Sequence, residues 1–212
     1  MDFSVIIPAH NEEKYIEKTL KSLPKSAEKI VICNGCTDLT EKIAKKFSKV
    51  ISISEPNVSK ARNEGAKKAT GNILIFLDAD TVIKSENFLD EIKKTLNNSV
   101  VGTTKSISNS KSLRAKLAMN FKNLFLWTGW SSGIIFCKKE MFEKVNGFNE
   151  SLTKKEDSNF IKKCLNFGSF GVADCFVITS MRRYEKYGYL KLMIYWIKET
   201  IFKNKKPYPV VR

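Results

Sequence analysis

The chain has 212 residues, of which 42% are hydrophobic, and its formal net charge is +15. This length can bury one sizeable core, so we expect one α/β domain with at most a small appendage. Residues 181–212 carry nine Lys or Arg against two Glu, a net +7, and the other residues share the remaining +8. No run of about 18 apolar residues occurs, and the chain opens on a strand-like segment instead of a secretory signal. We therefore expect a protein on the cytoplasmic side.

The sequence contains five scattered cysteines. An odd number without regular spacing predicts free thiols in a reducing compartment and not a disulfide framework. Cys33 and Cys36 have the spacing of half a zinc or redox site. Because His10 is the single histidine and no second Cys or His pair is present, the tetrahedral ligand set of a zinc site is incomplete.

Apolar runs alternate with short amphipathic segments along the first half of the chain. Strands are expected at residues 3–7, 29–33, 50–53, 72–77 and 100–104, and helices at 13–23, 38–47, 58–69 and 86–96. This alternation predicts parallel βαβ units. In open sheets of this kind, ligands collect beyond the carboxyl ends of the strands. Three polar segments fall at such ends: residues 8–12, 34–35 and 78–80.

Two carboxylates one residue apart, Asp78 and Asp80, follow the apolar run at residues 73–77. Such a pair can hold a divalent cation and the sugar-phosphate part of a nucleotide. The alternative is an ordinary turn, because Asp is common after strands and Thr81 could continue the capping.

Seven short motifs follow one another along the chain: SVIIPAHNEE at 4–13, NGCTD at 34–38, ARNEG at 61–65, FLDAD at 76–80, GIIF at 133–136, NGFNE at 146–150 and Glu156-Asp157. In order and spacing they resemble the family 2 inverting glycosyltransferases of the GT-A fold, over roughly residues 3–180. The resemblance implies an α/β fold with a Rossmann-like, mostly parallel central sheet flanked by helices. It also implies a nucleotide-sugar-binding half at 1–105 and an acceptor-side half at 106–180.

The resemblance gives the donor-side residues their expected roles. Asp80 is the expected metal ligand, for Mn²⁺ or Mg²⁺, with Asp78 near the ribose or the metal and the Ala79 backbone alongside the nucleotide. The residues expected to line the nucleoside pocket are Pro8, Ala9, His10 and Glu12.

Three further positions on the donor side keep two interpretations each. Asn34 takes a position that often holds a base-reading Asp, and its amide keeps hydrogen bonding while leaving uracil and guanine both open. Arg62 either contacts a phosphate or the base, or forms an ion pair with Glu64 or another surface acid. Asp38 is expected to cap a helix or to lie in its first turn more than to contact a ligand.

Asp157 is the expected general base on the acceptor side. An inverting transfer needs one carboxylate that takes the proton of the acceptor hydroxyl, and if the acceptor were a phosphate, Asp157 would mainly position groups. Glu156 could raise the pKa of Asp157 or bind the acceptor, and the alternative is that both acids favour the start of a helix at 158–167. The residues expected to contact the acceptor or a phosphate are Gly133, Arg182 and Arg183.

Two basic amphipathic segments complete the chain. The first has an apolar stripe that consists of Leu113, Leu117, Phe121, Leu124 and Phe125. Its basic residues, Arg114, Lys116 and Lys122, lie elsewhere on the helix, and Trp127 and Trp130 follow it. The second runs from 189 to 202 within a basic C-terminal extension at 181–212, and Leu190, Met193, Ile194, Ile197 and Ile201 share its apolar face. Such helices bind membrane interfaces with anionic lipid, or pack on the domain or a second subunit.

These observations predict a hexosyltransferase-like enzyme, peripheral on the cytoplasmic face of a membrane. It would move a single sugar from a UDP- or GDP-sugar to an acceptor, with a lipid-linked acceptor favoured. One alternative is a sugar-phosphate nucleotidyltransferase, but residues 8–12 lack the glycine-rich phosphate loop that this chemistry needs. The other is a basic nucleic-acid-binding module, for which the charge is suitable but no motif is present.

Overall fold

The structure is a computed structural model that describes residues 1–129, 131, 133–152, 154–192 and 194. Trp130, Met193 and residues 195–212 lie outside the described residues, so the predicted amphipathic segment at 189–202 stays a prediction over most of its length. Of its described apolar members, Leu190 and Ile194 are exposed.

The first half of the chain folds as four strands joined by three helices. In chain order these are β1 (Phe3–Ala9), α1 (Ile16–Ser22), β2 (Glu28–Asn34), α2 (Thr40–Ala44), β3 (Lys49–Ile53), α3 (Val58–Lys68) and β4 (Ile73–Leu77). The four strands are parallel in the order β3-β2-β1-β4. Every residue of β4 is buried, as expected for a parallel strand covered on both faces.

The second half extends the same sheet. Its elements are β5 (Val82–Ile83), α4 (Phe88–Thr95), β6 (Val101–Ser108), α5 (Leu113–Leu124), a 3-10 turn (Leu126–Thr128), β7 (Ile134–Lys138), α6 (Lys139–Lys144), α7 (Glu156–Leu165), β8 (Phe170–Thr179) and α8 (Arg182–Tyr187). The complete order is β3-β2-β1-β4-β7-β6-β8-β5, in which β7 is antiparallel to both neighbours and β5 is antiparallel to β8. The predicted α/β class with a mostly parallel sheet is confirmed. The boundary at 105/106 between functional halves stays a prediction.

Several predicted boundaries are wrong by a few residues. Strand β1 continues through Pro8 to Ala9, where it still pairs with β2. Its pairing with β4 ends at Ile6, so the missing N–H of Pro8 leaves no gap in the β1–β4 ladder. Helix α1 starts at Ile16 and not at 13. Residues 13–15 form a turn instead, in which the Glu12 carbonyl accepts hydrogen bonds from the N–H groups of Tyr15 and Ile16.

Two later elements also differ from the prediction. Helix α7 begins at Glu156, two residues before the predicted start. Strand β6 runs four residues past the predicted end because Lys105 to Ser108 pair with β8 beyond a bulge. Glu156 and Asp157 therefore lie within the first turn of α7.

The sequence left two positions open for the leucine stripe of α5, a membrane interface or packing on the domain or a second subunit, and in the structure its leucines do not pack on the domain. Leu113, Leu117 and Leu124 are 70%, 58% and 69% exposed. The buried face consists of small or flexible side chains, Ala115, Ala118 and Met119, which pack with Met181. Asn123 fixes this rotation, because its amide exchanges hydrogen bonds of 2.8 and 2.9 Å with the backbone of Ser106 on β6. The apolar stripe of α5 is thus a surface feature.

None of the helices among the described residues is both long enough and apolar enough to cross a membrane.

Candidate active site

The carboxyl ends of β1, β2 and β4 lie side by side, as the sequence predicts, and their polar residues meet there. His10 contacts the backbone carbonyl of Asn34 through Nδ1 at 2.5 Å. The carbonyl of Ala79 accepts from the buried Thr19 hydroxyl at 2.8 Å. Residues 8–12, 34 and 78–80 therefore line one edge of the sheet.

Asp78 serves both as a turn residue and as a site residue. Its carbonyl accepts from Thr81 N–H at 3.0 Å, and its N–H donates to the carbonyl of Gly133 at 2.9 Å. Gly133 has φ +80°, and a Cβ there would lie 2.9 Å from the Thr81 hydroxyl and 3.2 Å from Oδ2 of Asp78. Glycine is required at this position because it allows the strand to approach the carboxylate.

Arg62 is the centre of the first charged cluster. Its guanidinium, 4% exposed, projects from α3 and hydrogen-bonds to Oδ1 of Asp157. It also lies 3.4 Å from Oδ1 of Asp78 and 3.6 Å from Oε1 of Glu156. The predicted ion pair therefore forms with the acids of the site, whereas Glu64 pairs with Lys67. Arg62 brings the donor-side and acceptor-side carboxylates together.

The neighbours of Arg62 in sequence hold the surrounding frame. Phe148 stacks under the guanidinium, 5.0 Å from the ring centroid. Asn63 exchanges hydrogen bonds with the backbone N–H and carbonyl of Phe148 and donates to Oε1 of Glu150 at 2.8 Å. A Cβ on Gly65 would come within 2.3 Å of Ile6, so α3 packs tightly on β1. The ARNEG motif thus positions Arg62 and anchors the NGFNE turn.

Arg182 is the centre of a second cluster. Both of its terminal nitrogens donate to the carboxylate of Glu12, at 2.9 and 2.6 Å, and one lies 3.2 Å from Oδ2 of Asp80. The guanidinium also lies 5.0 Å from the ring centroid of Tyr15. This bidentate pair connects the start of α8 to the loop after β1. The structure therefore brings three of the predicted residues together: Glu12, Asp80 and Arg182.

Burial perturbs the acids of both clusters. Although 41% of the Asp78 side chain is exposed, partial burial of its carboxyl raises its pKa to about 6, a shift that Arg62 opposes and that Asp157 and Asp80 reinforce. Burial also raises the pKa of Asp80, where Arg182 opposes the shift. The pKa of Glu156 is raised by burial and by the adjacent Asp157 charge. Carboxyl groups with raised pKa values that share a cleft are typical of functional sites.

The predicted nucleoside pocket is held by hydrogen bonds around Asn34. Its side-chain oxygen accepts from the backbone N–H of Asn57 at 2.7 Å, which leaves the amide NH₂ as the group available to a base edge. The carboxylate of Asp38 accepts from the backbone N–H of Thr40, at the start of α2, and of Glu13. This contact agrees with the first-turn role expected for Asp38.

Cys36 lies beside this pocket. Its thiol donates to the carbonyl of Ala9 at 3.2 Å. A hydrogen bond from Cys33 lowers the pKa of Cys36 to about 6. All five cysteines are free.

Sequence reasoning missed two residues of the charged site. Ser131 donates to Oδ2 of Asp157 at 2.7 Å, and nothing in its local sequence indicates this contact. Lys122 is half-buried one turn after the buried Ala118 of α5, and the charges of Asp78, Asp157 and Arg183 all influence its pKa. Its spacing from Ala118 would have been a signal for this placement. The charge of Arg183 also lowers the pKa values of Asp78 and Asp80, so Arg183 lies near these two aspartates.

The described residues contain no group of three or more His, Cys, Asp or Glu side chains arranged to hold a metal ion. Asp78 and Asp80 are the acids that sequence reasoning assigned to a metal, and both face an arginine. Carboxylates are hard oxygen ligands, which suit Mg²⁺ or Mn²⁺.

The sequence model described as Glycosyl transferase family 2 matches residues 4–150. The chain belongs to glycosyltransferase family 2. One relative is TarS of Staphylococcus aureus strain MW2, a poly(ribitol-phosphate) β-N-acetylglucosaminyltransferase. It is 34% identical to this family 2 chain over 103 residues, which cover 42% of the chain and 18% of TarS. The uncharacterized glycosyltransferase EpsJ of Bacillus subtilis is 26% identical over 188 residues, covering 74% of the chain and 54% of EpsJ. The sequence match therefore covers under a fifth of TarS and about half of EpsJ.

Two solved structures share the fold. S. aureus TarS 1-349 in complex with UDP-GlcNAc superimposes with a TM-score of 0.68 at 24% identity, covering 93% of this family 2 chain and 67% of that one. The mannosyltransferase PcManGT from Pyrobaculum calidifontis, in complex with GDP-Man and Mn²⁺, gives a TM-score of 0.69 at 18% identity, covering 98% and 66%. The GT-A fold expected from the motifs is confirmed.

Proposed function

We propose that this family 2 chain is an inverting glycosyltransferase that transfers a single sugar from a UDP- or GDP-sugar to an acceptor. One observation carries the proposal: Arg62 holds Asp157 and Asp78 on the same guanidinium. The expected acceptor-side base and the expected donor-side carboxylate are therefore neighbours across one cleft. Membership of family 2 supports the reaction class, and the UDP-GlcNAc and GDP-Man complexes of the two similar structures support the donor class.

Asp80 and Asp78 are the residues that would hold a divalent cation. Mg²⁺ and ions like it are usually bound by one or two carboxylates together with substrate phosphates, without a full protein cage. Two aspartates without a third acid fit that mode. When bound, the cation would offset the negative charge on the departing diphosphate. Arg182, now 3.2 Å from Asp80, would then keep its bidentate contact with Glu12.

Asp157 is suited to take the acceptor proton. Its side chain is 26% exposed, so an acceptor can reach it. Arg62 and the Ser131 hydroxyl each hold one of its oxygens, and together they fix its orientation. As the acceptor oxygen bonds to the anomeric carbon, the bond from that carbon to the diphosphate breaks and the hydroxyl proton passes to Asp157. One carboxylate is sufficient for this single displacement.

The surface around α5 suits an acceptor carried by a lipid at a membrane. A groove of about 1000 Å³ lies between α5 and the segment after β8, and Leu117, Phe121, Leu124 and Tyr184 contribute to its walls. Trp127, 74% exposed, lies just beyond the helix. Basic residues share the surface, as on helices that bind anionic lipid. Peripheral binding on the cytoplasmic side also agrees with the free cysteines.

Purified protein incubated with a panel of nucleotide sugars and acceptors, with and without Mn²⁺, tests the proposed reaction. We expect transfer from one UDP- or GDP-sugar and loss of metal-dependent transfer in Asp80→Ala. Asp90→Ala is the matched control, because Asp90 is an exposed aspartate of α4. Full transfer by Asp80→Ala would refute the metal assignment, and no transfer or nucleotide binding by the wild type would refute the function.

A further inference from the structure

Lys122 occupies an unusual place for a lysine. It follows Ala115, Ala118 and Met119 by seven, four and three positions, so it continues the buried face of α5. The adjacent Asn123 locks the helix to β6. Lys122 therefore projects from the side of α5 opposite to the solvent-facing leucines and is itself half-buried.

The buried face that Lys122 continues packs on Met181, and the next residue, Arg182, binds Glu12 and lies 3.2 Å from Asp80, so this side of α5 borders the charged clusters. The charges that act on its ammonium group are those of Asp78, Asp157, Asp80 and Arg183. Burial lowers the pKa of Lys122 to about 8, and the three carboxylates oppose this shift. The side chain thus carries positive charge at pH 7 in a partly dry cleft, where a charge interacts more strongly than in water.

Among the described residues, Lys122 differs from the arginines of the site because no fixed partner holds it. Arg62 and Arg182 are each bound to carboxylates within 3.6 Å. In the described part of the chain, by contrast, neither a hydrogen bond nor an ion pair holds the Lys122 ammonium. None of its three N–H donors is engaged by the described residues, so the ammonium can serve a ligand. An ammonium that lies near carboxylates without pairing with them can bind an anionic ligand that enters the space between the two.

We propose that Lys122 binds the β-phosphate of the nucleotide donor. The proposal rests on the proposed function, because it takes the donor to be a nucleoside diphosphate sugar positioned at Asp78 and Asp80. Lysine binds phosphate as a compact point charge. When the bond from the anomeric carbon to the β-phosphate oxygen breaks, negative charge accumulates on that oxygen. An ammonium already in place stabilises this charge without reorganisation.

Calorimetric titration of nucleoside diphosphates and monophosphates tests this contact, because only the diphosphate has a β-phosphate. UDP, GDP, UMP and GMP are titrated with Mn²⁺ into the wild type, Lys122→Met, Lys122→Gln and Lys122→Arg. Lys116→Met is the matched control, since Lys116 lies on the exposed face of the same helix. Methionine and glutamine are close to lysine in length, so we expect folded variants, which thermal unfolding checks.

We expect Lys122→Met and Lys122→Gln to weaken diphosphate binding by about ten-fold or more, the effect of one charge-assisted hydrogen bond. Monophosphate binding should stay at the wild-type level, Lys122→Arg should restore most of the affinity, and Lys116→Met should match the wild type. Equal diphosphate affinity in wild type and Lys122→Met would overturn the inference, as would a parallel loss of monophosphate affinity. A wild type that binds no nucleotide would instead overturn the proposed function.

Discussion

Arg62→Met removes the guanidinium that three carboxylates share, and it should destabilise the protein in a pH-dependent way. Removing one partner of a buried ion pair costs about 3–5 kcal/mol. The side chain of Asp78 is 41% exposed, and water there reduces the penalty, so we expect a loss of about 3 kcal/mol in the free energy of unfolding. For a chain of this size, that loss lowers Tm by roughly 6–12 °C.

The pH dependence follows from the same contacts. Burial already raises the pKa of Asp78 to about 6, and it raises that of Glu156. Without Arg62, which lowers both, these carboxyl groups take up protons at still higher pH. The uncompensated charge in the variant therefore disappears as pH falls below about 6, and the stability difference from the wild type should shrink.

Urea denaturation at pH 7.5 and at pH 5 measures this effect. Arg114→Met is the control, because Arg114 is an exposed arginine of α5, and we expect it to change stability by less than about 0.5 kcal/mol. A loss in Arg62→Met no larger than in the control, or a loss that is the same at both pH values, would refute the view that Arg62 neutralises the acids of the site.

Three further predictions concern the frame around the site. Asn63→Ala, which removes three hydrogen bonds to the neighbouring turn, should cost about 2–3 kcal/mol in urea denaturation, and a loss under 0.5 kcal/mol would contradict the anchoring role. Gly133→Ala should lose more stability than Gly188→Ala. Both glycines have positive φ, but a Cβ at Gly133 would meet Thr81 and Asp78, whereas open space surrounds Gly188. Equal losses in the two variants would show that the close approach of Gly133 to Thr81 and Asp78 is unimportant. Iodoacetamide should alkylate Cys36 readily at pH 7 and more slowly below pH 6, because the hydrogen bond from Cys33 lowers its pKa to about 6; mass spectrometry showing faster labelling of the cysteines with raised pKa values would contradict this.

Much of the fold could be predicted from the sequence because its signals are local. Strand β4 is a run of five apolar residues that ends at Asp78, and burial on both faces follows from that composition. The first residues of α1 and α7 were predicted less well. A carbonyl at Glu12 and the αL conformation of Lys155 fix where these helices begin, and neither has a strong signature in the sequence.

The electrostatic arrangement of the site depends on contacts that are distant in sequence. Arg182 reaches Glu12 across 170 positions, and spacing along the chain contains no information about such a pair. The sequence left the rotation of α5 open, because leucines normally mark the buried side of a helix whereas an apolar stripe beside basic residues also suits a membrane surface. Here alanine and methionine pack inward and the Asn123 hydrogen bonds fix the rotation, and Lys122 continues that inward face.

The central claim is that Asp157 acts on the acceptor while Asp78 and Asp80 hold the donor. Initial transfer rates and the donor Kd, measured on one preparation of Asp157→Asn, test it most directly. We predict wild-type affinity for the nucleotide sugar within about two-fold, and a transfer rate lower by about 10²–10⁴-fold, the usual contribution of a general base. Transfer at the wild-type rate, or a loss of activity that follows entirely from lost donor binding, would contradict the account.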